Sequence, residues 1–492
     1  MLPTRAVANF HTNMYKSTAI QAEIDVLPPA SGEPMSDLPP AMYGPGPSVQ
    51  DLLDQERGPV PEALRRSSSV DLGTEPIPAS RYTSAEFLAH EFQSMWSRTW
   101  QMACREEDLP QPGDYYVYEI GSASVLVVRQ VDGDIRAFEN VCLHRGRLLK
   151  EKSGHAQFLR CPFHAFTWNL DGGCRQVTNE WDFPHVDKDQ FNLPQIHVGR
   201  WGGFVFVNLA AEPESLESYL EDLPQIYRTR GWDLAQRVKA VHVSKRNACN
   251  WKVALEAFIE SYHVVATHPS AMTYLGDAFT QYDVWPDRRN YTRMISPRGL
   301  ASPHVGRVMS EQEIYEAGSR GAVLTDDERV LPEGLTARQA LGDRKRRFLR
   351  DEYGVDIPDM TDCEALDTIQ YHIFPNLVCW AGWGSFLVYR FRPDGNDPAR
   401  SIMDIFFLVP DGADGDVRVA REPHWLGVED SHHLAPELGP FAAVFDEDQS
   451  NLPFVQRGLA AMRGPGITLS RYEEMRIRYF HKRLDDYLSG RC

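Results

Sequence analysis

The segment from Cys142 to His164 reads CLHRGRLLKEKSGHAQFLRCPFH and gathers two cysteines and two histidines into two short clusters. Cys142 and His144 follow the run IRAFENV. Cys161 and His164 follow AQFLR, and sixteen residues separate the clusters. A pair of ligand-bearing loops, each at the end of a strand, can close on a shared metal centre from opposite sides. Finger-type zinc sites keep like ligands together, with two Cys before two His. Here each loop carries one of each. That mixture suits a [2Fe–2S] centre in which one iron takes two thiolates and the other two imidazoles. Neutral imidazoles lower the negative charge on the cluster and raise its potential, as an electron relay requires.

Working outward, YYVYEIGSASVLVVRQVDGDIRAFENV alternates β-branched and aromatic residues, with Asp132-Gly133 placed for a tight hairpin turn. FTWNLDGG and WGGFVFVNLA continue the strands, so the segment reads as a small antiparallel β domain. Before it, TSAEFLAHEFQSMWSRTW repeats Phe87, Leu88, Phe92 and Trp96 at helical spacing behind a Thr83 or Ser84 cap. After it, ESLESYLEDLPQIYRTRG reads as helix, and strands return in YHIFPNLVCW, SFLVYRFRP and SIMDIFFLVP. The last element, SRYEEMRIRYFHKRLDDYLSG, is expected to be a docking helix opened by a Ser470–Glu473 capping box. The basic run Asp343–Arg350 reads as a solvated helix face. The fold class expected is α+β: a small all-β domain plus a larger α+β domain with a central antiparallel sheet.

Composition narrows the function. With 51 basic and 69 acidic residues, a net charge of −18, the 492-residue chain offers no basic field for nucleic acid or an anionic membrane. Eight cysteines at irregular spacing do not make a disulfide framework and fit a reducing compartment. Cys104, Cys174, Cys249 and Cys363 read as small core residues. Cys379 and Cys492 carry no signal. No apolar run is long enough for a membrane span and no secretory leader is visible, so a cytoplasmic protein is expected.

A second constellation lies in NWKVALEAFIESYHVVATHP, residues 250–269. Glu260 and His263 stand one helical turn apart. His268 is five residues further on, so it reaches the same point only if the helix ends or bends before Pro269. Two imidazoles plus a distant carboxylate make the facial triad of a mononuclear Fe(II) site with open positions for O₂. The carboxylate is sought in VFDEDQSNLPFVQRG, which offers Asp446, Glu447 and Asp448. An ordinary acidic N-terminal turn, favoured by the helix dipole, would account for any of the three equally well.

On these two motifs the chain resembles the Rieske-type non-haem iron ring-hydroxylating oxygenases, in their α (large terminal oxygenase) subunit. Cys-x-His and Cys-x-x-His match throughout, without the extra loop cysteines of respiratory Rieske proteins. Asn250-Trp251-Lys252, Glu260, Tyr262-His263 and His268 match the family's iron motif, and TWQMACREEDLPQPGDYY, GGFVFVNL and YHIFPNL extend the likeness from about residue 48 to the end. The resemblance implies a Rieske cluster on Cys142, His144, Cys161 and His164, and mononuclear Fe(II) on His263, His268 and Asp448. It casts Glu260 as a catalytic bridge to a Rieske histidine of the neighbouring subunit.

Residues 1–46, rich in Pro, Ser and Gly with few aliphatics, read as a disordered Pro-rich tail, and the rest of the chain divides into a helical segment packing on the catalytic domain (47–97), a Rieske domain (98–210) and a catalytic domain (211–492). The resemblance implies a homotrimer, with or without a β subunit, drawing NAD(P)H electrons through a separate reductase and possibly a ferredoxin, since the chain has no nicotinamide fingerprint of its own. Three positions depart from the common pattern: Ala257 where Asn is frequent, and Phe163 and Ala165 where Tyr and Gly are frequent. An aromatic substrate is expected together with O₂, in a pocket drawn from Leu255, Phe258, Val264, Val265, Phe279, Trp380 and Trp383. The alternatives are oxidative demethylation of a methoxy-aromatic, monooxygenation of a quaternary amine within an aromatic cage, a Rieske electron carrier without oxygenase activity, and a zinc-stabilised binding module.

Overall fold

The computed structural model describes residues 46–491 apart from 229–230, 321, 323, 412–418 and 421. The expected Pro-rich tail and Cys492 therefore lie outside the described residues, the tail but for Gly46.

Ten strands form the first half: β1 (Gln101–Arg105), β2 (Asp114–Ile120), β3 (Ala123–Arg129), β4 (Ile135–Glu139), β5 (Gly154–His155), β6 (Leu159–Arg160), β7 (Thr167–Trp168), β8 (Cys174–Gln176), β9 (Gln195–Trp201) and β10 (Phe204–Asn208). Seven make an antiparallel sheet in the order β1-β10-β9-β4-β3-β2-β5, and β6-β7-β8 make a small second sheet. Asp132-Gly133 turns β3 into β4, with Gly133 at φ 85°. Leu126, Val128 and Phe138 close a separate core over the cysteine loops with Leu159, Phe166 and Trp168.

The second half is built on β11 (Arg237–Asn247), β12 (Gln281–Asp283), β13 (Tyr291–Ser296), β14 (Thr368–Ile373), β15 (Leu377–Ala381), β16 (Leu387–Pro393), β17 (Ser401–Pro410) and β18 (His424–Leu426). They pair in the order β12-β13-β14-β15-β16-β17-β11-β18, antiparallel except β11 with β18. The α+β class and the central antiparallel sheet are as expected.

The two halves share a continuous core, and polar clamps fix their seam. The Arg390 guanidinium of β16 donates to the Met102 and Ala103 carbonyls of β1 at 3.0 and 2.6 Å while pairing with Asp404 of β17 at 2.8 Å. Lys239 of β11, fully buried, pairs with Asp108 at 2.5 Å. A buried cation is tolerable only with such partners. Residues 46–97 lie against the second half, with Glu56 accepting from the Asp362 and Cys363 amides.

Three local expectations change. Ser84 does cap a helix, Ala85–Glu91, but its continuation Phe92–Trp96 is a π-turn. The C-terminal helix starts at Met475 rather than at a Ser470–Glu473 box: Ser470 exchanges hydrogen bonds with Glu474, and Glu473 instead accepts from Tyr282. The basic run lies within the helix Ala337–Tyr353, but it is not simply a solvated face, because Arg344 and Lys345 line a cavity. Cys104, Cys249, Cys363 and Cys379 are buried, whereas Cys174 is half-buried.

Candidate metal centres and active site

The two cysteine loops fold alike. In each, the Cys carbonyl accepts from the amide four residues on (Gly146 to Cys142, 2.9 Å; Ala165 to Cys161, 3.1 Å) and the Cys amide donates to the carbonyl five on (Arg147, Phe166; both 2.8 Å). The fourth residue past each Cys is left-handed: Gly146 at φ 73° and Ala165 at φ 65°. Both cysteines are buried, and the His144 and His164 rings meet edge to face at 4.6 Å between centroids. His164 Nδ1 is buried with no hydrogen-bond partner. Burial pushes the Cys142 thiol up, against the His144 and Arg145 amides that aim at its sulfur. An orphaned imidazole nitrogen beside two buried thiols fits a metal cluster, whose bonds would satisfy all three.

The second set forms where a helix is made to stop. Asn250 caps Trp251–Glu256 by accepting from the Lys252 amide, while its own amide donates to Gln456. Trp251 and Lys252 both donate to the buried Glu91 carboxylate, at 3.0 and 2.6 Å. The helix then breaks, and distant side chains take the freed backbone groups. Gln370 donates to the Phe258 carbonyl, Arg476 to that of Ile259, and the Ser261 amide donates to Tyr282. A one-turn helix, Val264–Thr267, follows with His263 and His268 at its two caps. The chain thus bends as the spacing required.

Asp448 arrives on the helix Phe441–Gln449, whose Phe441, Phe445 and Asp448 share the inward stripe at i, i+4, i+7. The ligand atoms of His263, His268 and Asp448 all lie within 4.8 Å of one another. Asp448 Oδ1 is 2.9 Å from His268 Nε2 and 3.5 Å from His263 Nε2. The opposite ring nitrogens are held by carboxylates: Glu260 accepts from His263 Nδ1 and Glu447 from His268 Nδ1, each at 2.6 Å. Glu260 also accepts the His263 amide at 3.0 Å. Burial disfavours imidazolium here, yet hydrogen bonds to Asp448 and Glu447 outweigh it and hold His268 at about 9 without a metal. Two imidazoles and one carboxylate converging with carboxylates behind them are a donor set suited to Fe(II).

The neighbouring acids separate cleanly. Asp446 is turned away, accepting from Ser431 and His432. An acidic first turn does not account for the three, because they occupy the last turn of their helix, where the dipole is unfavourable to anions.

A cavity of about 190 Å³ reaches the triad. Phe258 and Trp380 line it as expected, as does Ala257, joined by Tyr389, Phe441 and Phe445, which sequence reasoning missed. Leu255, Val264, Val265, Phe279 and Trp383 do not line it; Leu255 and Trp383, for example, belong to the continuous core. The rings form a curved wall: Phe258–Tyr389 centroids lie 5.2 Å apart, Tyr389–Phe445 6.0 Å and Phe441–Phe445 6.3 Å. Polar groups interrupt it, among them Ser261, Ser296, Thr368, Gln370 and Arg298. Arg298 follows β13 and carried no motif signal.

A β domain with a candidate Rieske ligand set, joined to a helix-and-sheet domain with a two-histidine, one-carboxylate set, is the architecture of the Rieske non-haem iron oxygenase family. The family model for the ring hydroxylating alpha subunit (catalytic domain) matches residues 232–490, and that for the Rieske [2Fe-2S] domain matches residues 99–186. The chain belongs to the ring-hydroxylating α-subunit family, whose cofactors are a Rieske [2Fe–2S] cluster and a mononuclear iron.

Among relatives, a glycine betaine monooxygenase oxygenase subunit of Pseudomonas aeruginosa is 31% identical over 232 residues, 46% of this chain and 52% of that one. A carnitine monooxygenase oxygenase subunit of Escherichia coli is 30% identical over 194 residues, 39% and 52% of the two chains. The match thus spans about half the length of these relatives. Among solved structures, the quaternary ammonium Rieske monooxygenase CntA with L-carnitine aligns with a TM-score of 0.57 at 19% identity, covering 85% of this chain and 96% of that one. Naphthalene 1,2-dioxygenase with indole aligns at 0.60 and 19%, covering 86% and 93%. At that identity both bear on the fold alone. No described helix is long and apolar enough to cross a membrane.

Proposed function

We propose that the protein is the terminal oxygenase of a monooxygenase acting on a small quaternary ammonium compound, the alternative raised above, rather than on an aromatic hydrocarbon. The observation that carries this reading is the composition of the cavity wall. Trp380, Tyr389, Phe258, Phe441 and Phe445 offer ring faces to a desolvated cation. The same cavity holds Arg298, Gln370, Thr368 and three serines, a polar lining that suits a charged substrate better than an apolar hydrocarbon, which would leave the largely unpartnered Arg298 guanidinium without water. Its size suits a small substrate, being below the roughly 300–1,000 Å³ of drug-sized sites. The relatives named for glycine betaine and carnitine point the same way.

In this reading His263, His268 and Asp448 hold the iron that activates O₂ when bound, and Cys142, His144, Cys161 and His164 hold the cluster that delivers electrons. The ring wall orients the ammonium so that one of its C–H bonds faces the triad. Insertion of one oxygen atom there converts C–H to C–OH, and the other atom leaves as water with two electrons from NAD(P)H. The resulting carbinolamine breaks its C–N bond, releasing an amine and an aldehyde. Glu260 fixes His263 through Nδ1 and retains lone pairs for a cluster imidazole of a second copy in a homotrimer. Phe163 and Tyr262, exposed near the cluster and beside Glu260, are surfaces such an assembly would cover.

The test is turnover with a reductase, NADH and a panel of glycine betaine, carnitine, choline and naphthalene, scored by aldehyde release and O₂ uptake. Aldehyde from an ammonium substrate, lost in His263→Ala with the Rieske EPR signal intact, is expected. A dihydrodiol from naphthalene with no ammonium turnover would overturn the reading.

A further inference from the structure

A second cavity, of about 390 Å³, adjoins the catalytic one, and Tyr274 and Arg298 line both. Arg298 stands at the junction on a fixed backbone. Its amide donates to Asp367 at 2.9 Å, its carbonyl accepts from Arg338 at 2.9 Å, and it bridges to Leu275. Asp367 itself is committed to Arg338, at 2.7 and 2.9 Å. Among the described residues the Arg298 guanidinium is therefore left with one long contact, 3.4 Å to Thr368 Oγ1, while its Nε is buried and has no partner there. Two buried arginines of the second half are paired with carboxylates: Arg293 has Asp283, and Arg390 has Asp404. A planar five-donor fork held rigidly in a cavity, without an anion, is a receptor for one.

Arg344, Lys345 and Arg347 line the same cavity. Arg344, on the second cavity, spends its donors on the neutral oxygens of Ser319 and Gly318. Lys345 lies over the Phe348 and Phe386 rings, and burial beside Arg298, Arg237 and Arg344 brings it down to about 7. Three acids line that cavity, Glu328, Asp351 and Glu352; Glu328 is turned to Thr325 and Asp351 to Arg350.

We infer that Arg298 is a specificity-determining residue that binds a carboxylate at the far end of the substrate, so that the enzyme takes ammonium carboxylates (betaines) in preference to ammonium alcohols or simple ammonium ions. The inference rests on the quaternary-ammonium reading for the cationic end only. The ring wall takes the cation at the triad, and the fork at the cavity junction takes the anion, fixing which carbon meets the iron.

The experiment measures binding to the holoenzyme by calorimetry. The probes are glycine betaine and carnitine, choline, tetramethylammonium and benzoate, against wild type, Arg298→Gln and Arg298→Lys. Arg298 makes only the Thr368 side-chain contact, so both variants should fold, which thermal unfolding checks. The wild type should bind a betaine more tightly than tetramethylammonium. Arg298→Gln should weaken the betaine by about 10- to 100-fold, the worth of a charge-assisted hydrogen-bond pair, leave tetramethylammonium unchanged, and Arg298→Lys should restore part of the loss. Equal weakening of betaine and tetramethylammonium, or no change in either, would overturn the assignment. Benzoate bound in an Arg298-dependent way, with no ammonium compound bound, would uphold the anion site while overturning the ammonium reading.

Discussion

Glu447 and Asp448 are adjacent acids at the proposed metal site, and their geometry suits them to roles that metal binding can tell apart. Asp448 Oδ1 points at both imidazole Nε2 atoms, whereas Glu447 reaches only the far nitrogen of His268, at 2.6 Å. Asp448→Ala deletes one of three protein ligands and should empty the site of mononuclear iron at any practical concentration. Glu447→Gln keeps all three ligands and removes a charged acceptor that orients one of them. Loss of such an outer partner costs about 10–100-fold in metal affinity, or roughly 1.4–2.7 kcal/mol. The lower end is expected, because the Glu447 side chain is 41% exposed and water can replace it at Nδ1. Asp446→Asn, which disturbs only the Ser431 and His432 contacts, should leave affinity unchanged. The assay is ferrous titration of protein stripped of mononuclear iron, with Rieske absorbance as an internal standard, since the cluster ligands lie in the other half. Full occupancy in Asp448→Ala, or loss in Glu447→Gln as complete as in Asp448→Ala, would show that the triad is misassigned.

Other consequences follow from single observations. Arg390→Met leaves Asp404 buried without its main partner and unclamps β1 from β16, so it should cost about 3–5 kcal/mol, read as a lowered denaturant midpoint; an unchanged midpoint would refute the clamp. Ala165 at φ 65° occupies a place where its loop twin is Gly146. A left-handed Ala costs about 1–2 kcal/mol and Gly about 0.5–1 in chain entropy, so Ala165→Gly should stabilise the Rieske half by roughly 0.5–1 kcal/mol, followed by cluster CD on heating; a fall in its melting temperature would refute it. Burial raises Glu256, which accepts from Tyr82 and contacts His481, from 4.5 to about 8. The folded state thus keeps a proton there that the unfolded chain releases, and stability from this group is complete below about 4.5 and declines as pH rises toward 8. Glu256→Gln should flatten that decline, and an unaltered pH profile would count against it. Trp380→Leu should weaken tetramethylammonium binding by up to about 30-fold, the worth of a desolvated cation–π contact of about 2 kcal/mol; equal affinity would remove the ring wall from the cation site.

What the sequence made legible was chemistry whose spacing is local. Cys142 to His164 fold as two equivalent turns closed by their own backbone, so ligand spacing alone defined the loops. The Asn250-Trp251-Lys252 motif was legible as a word but not as a mechanism. Its Asn caps a helix, its Trp and Lys bury Glu91, and its Asn amide meets Gln456, far along the chain. The motif is thus a joint between the histidine segment and the helix Leu452–Ala461 that follows the Asp448 helix.

What stayed hidden was set by partners remote in the chain. β11 was overlooked because Lys239, His242, Lys245 and Arg246 give it the look of an exposed segment. Yet all but Arg246 are buried, Lys239 on Asp108 and Lys245 on the carbonyls of Gly427, Val428 and Asp430. The helix stop before Glu260 depends on Gln370, Arg476 and Tyr282, so the bend could be required by the chemistry but not read from propensity. For the acids Asp446, Glu447 and Asp448, the stripe of Phe441 and Phe445 that carries Asp448 inward is a pattern the sequence already held, beside the resemblance on which Asp448 was expected. Arg298 had no such signal. A cation in a loop after a strand looks like solvent-facing charge until the fold shows that Asp367, the carboxylate holding its amide, is committed to Arg338. Substrate selectivity therefore turns on a residue defined by the partner it lacks, which no local pattern records.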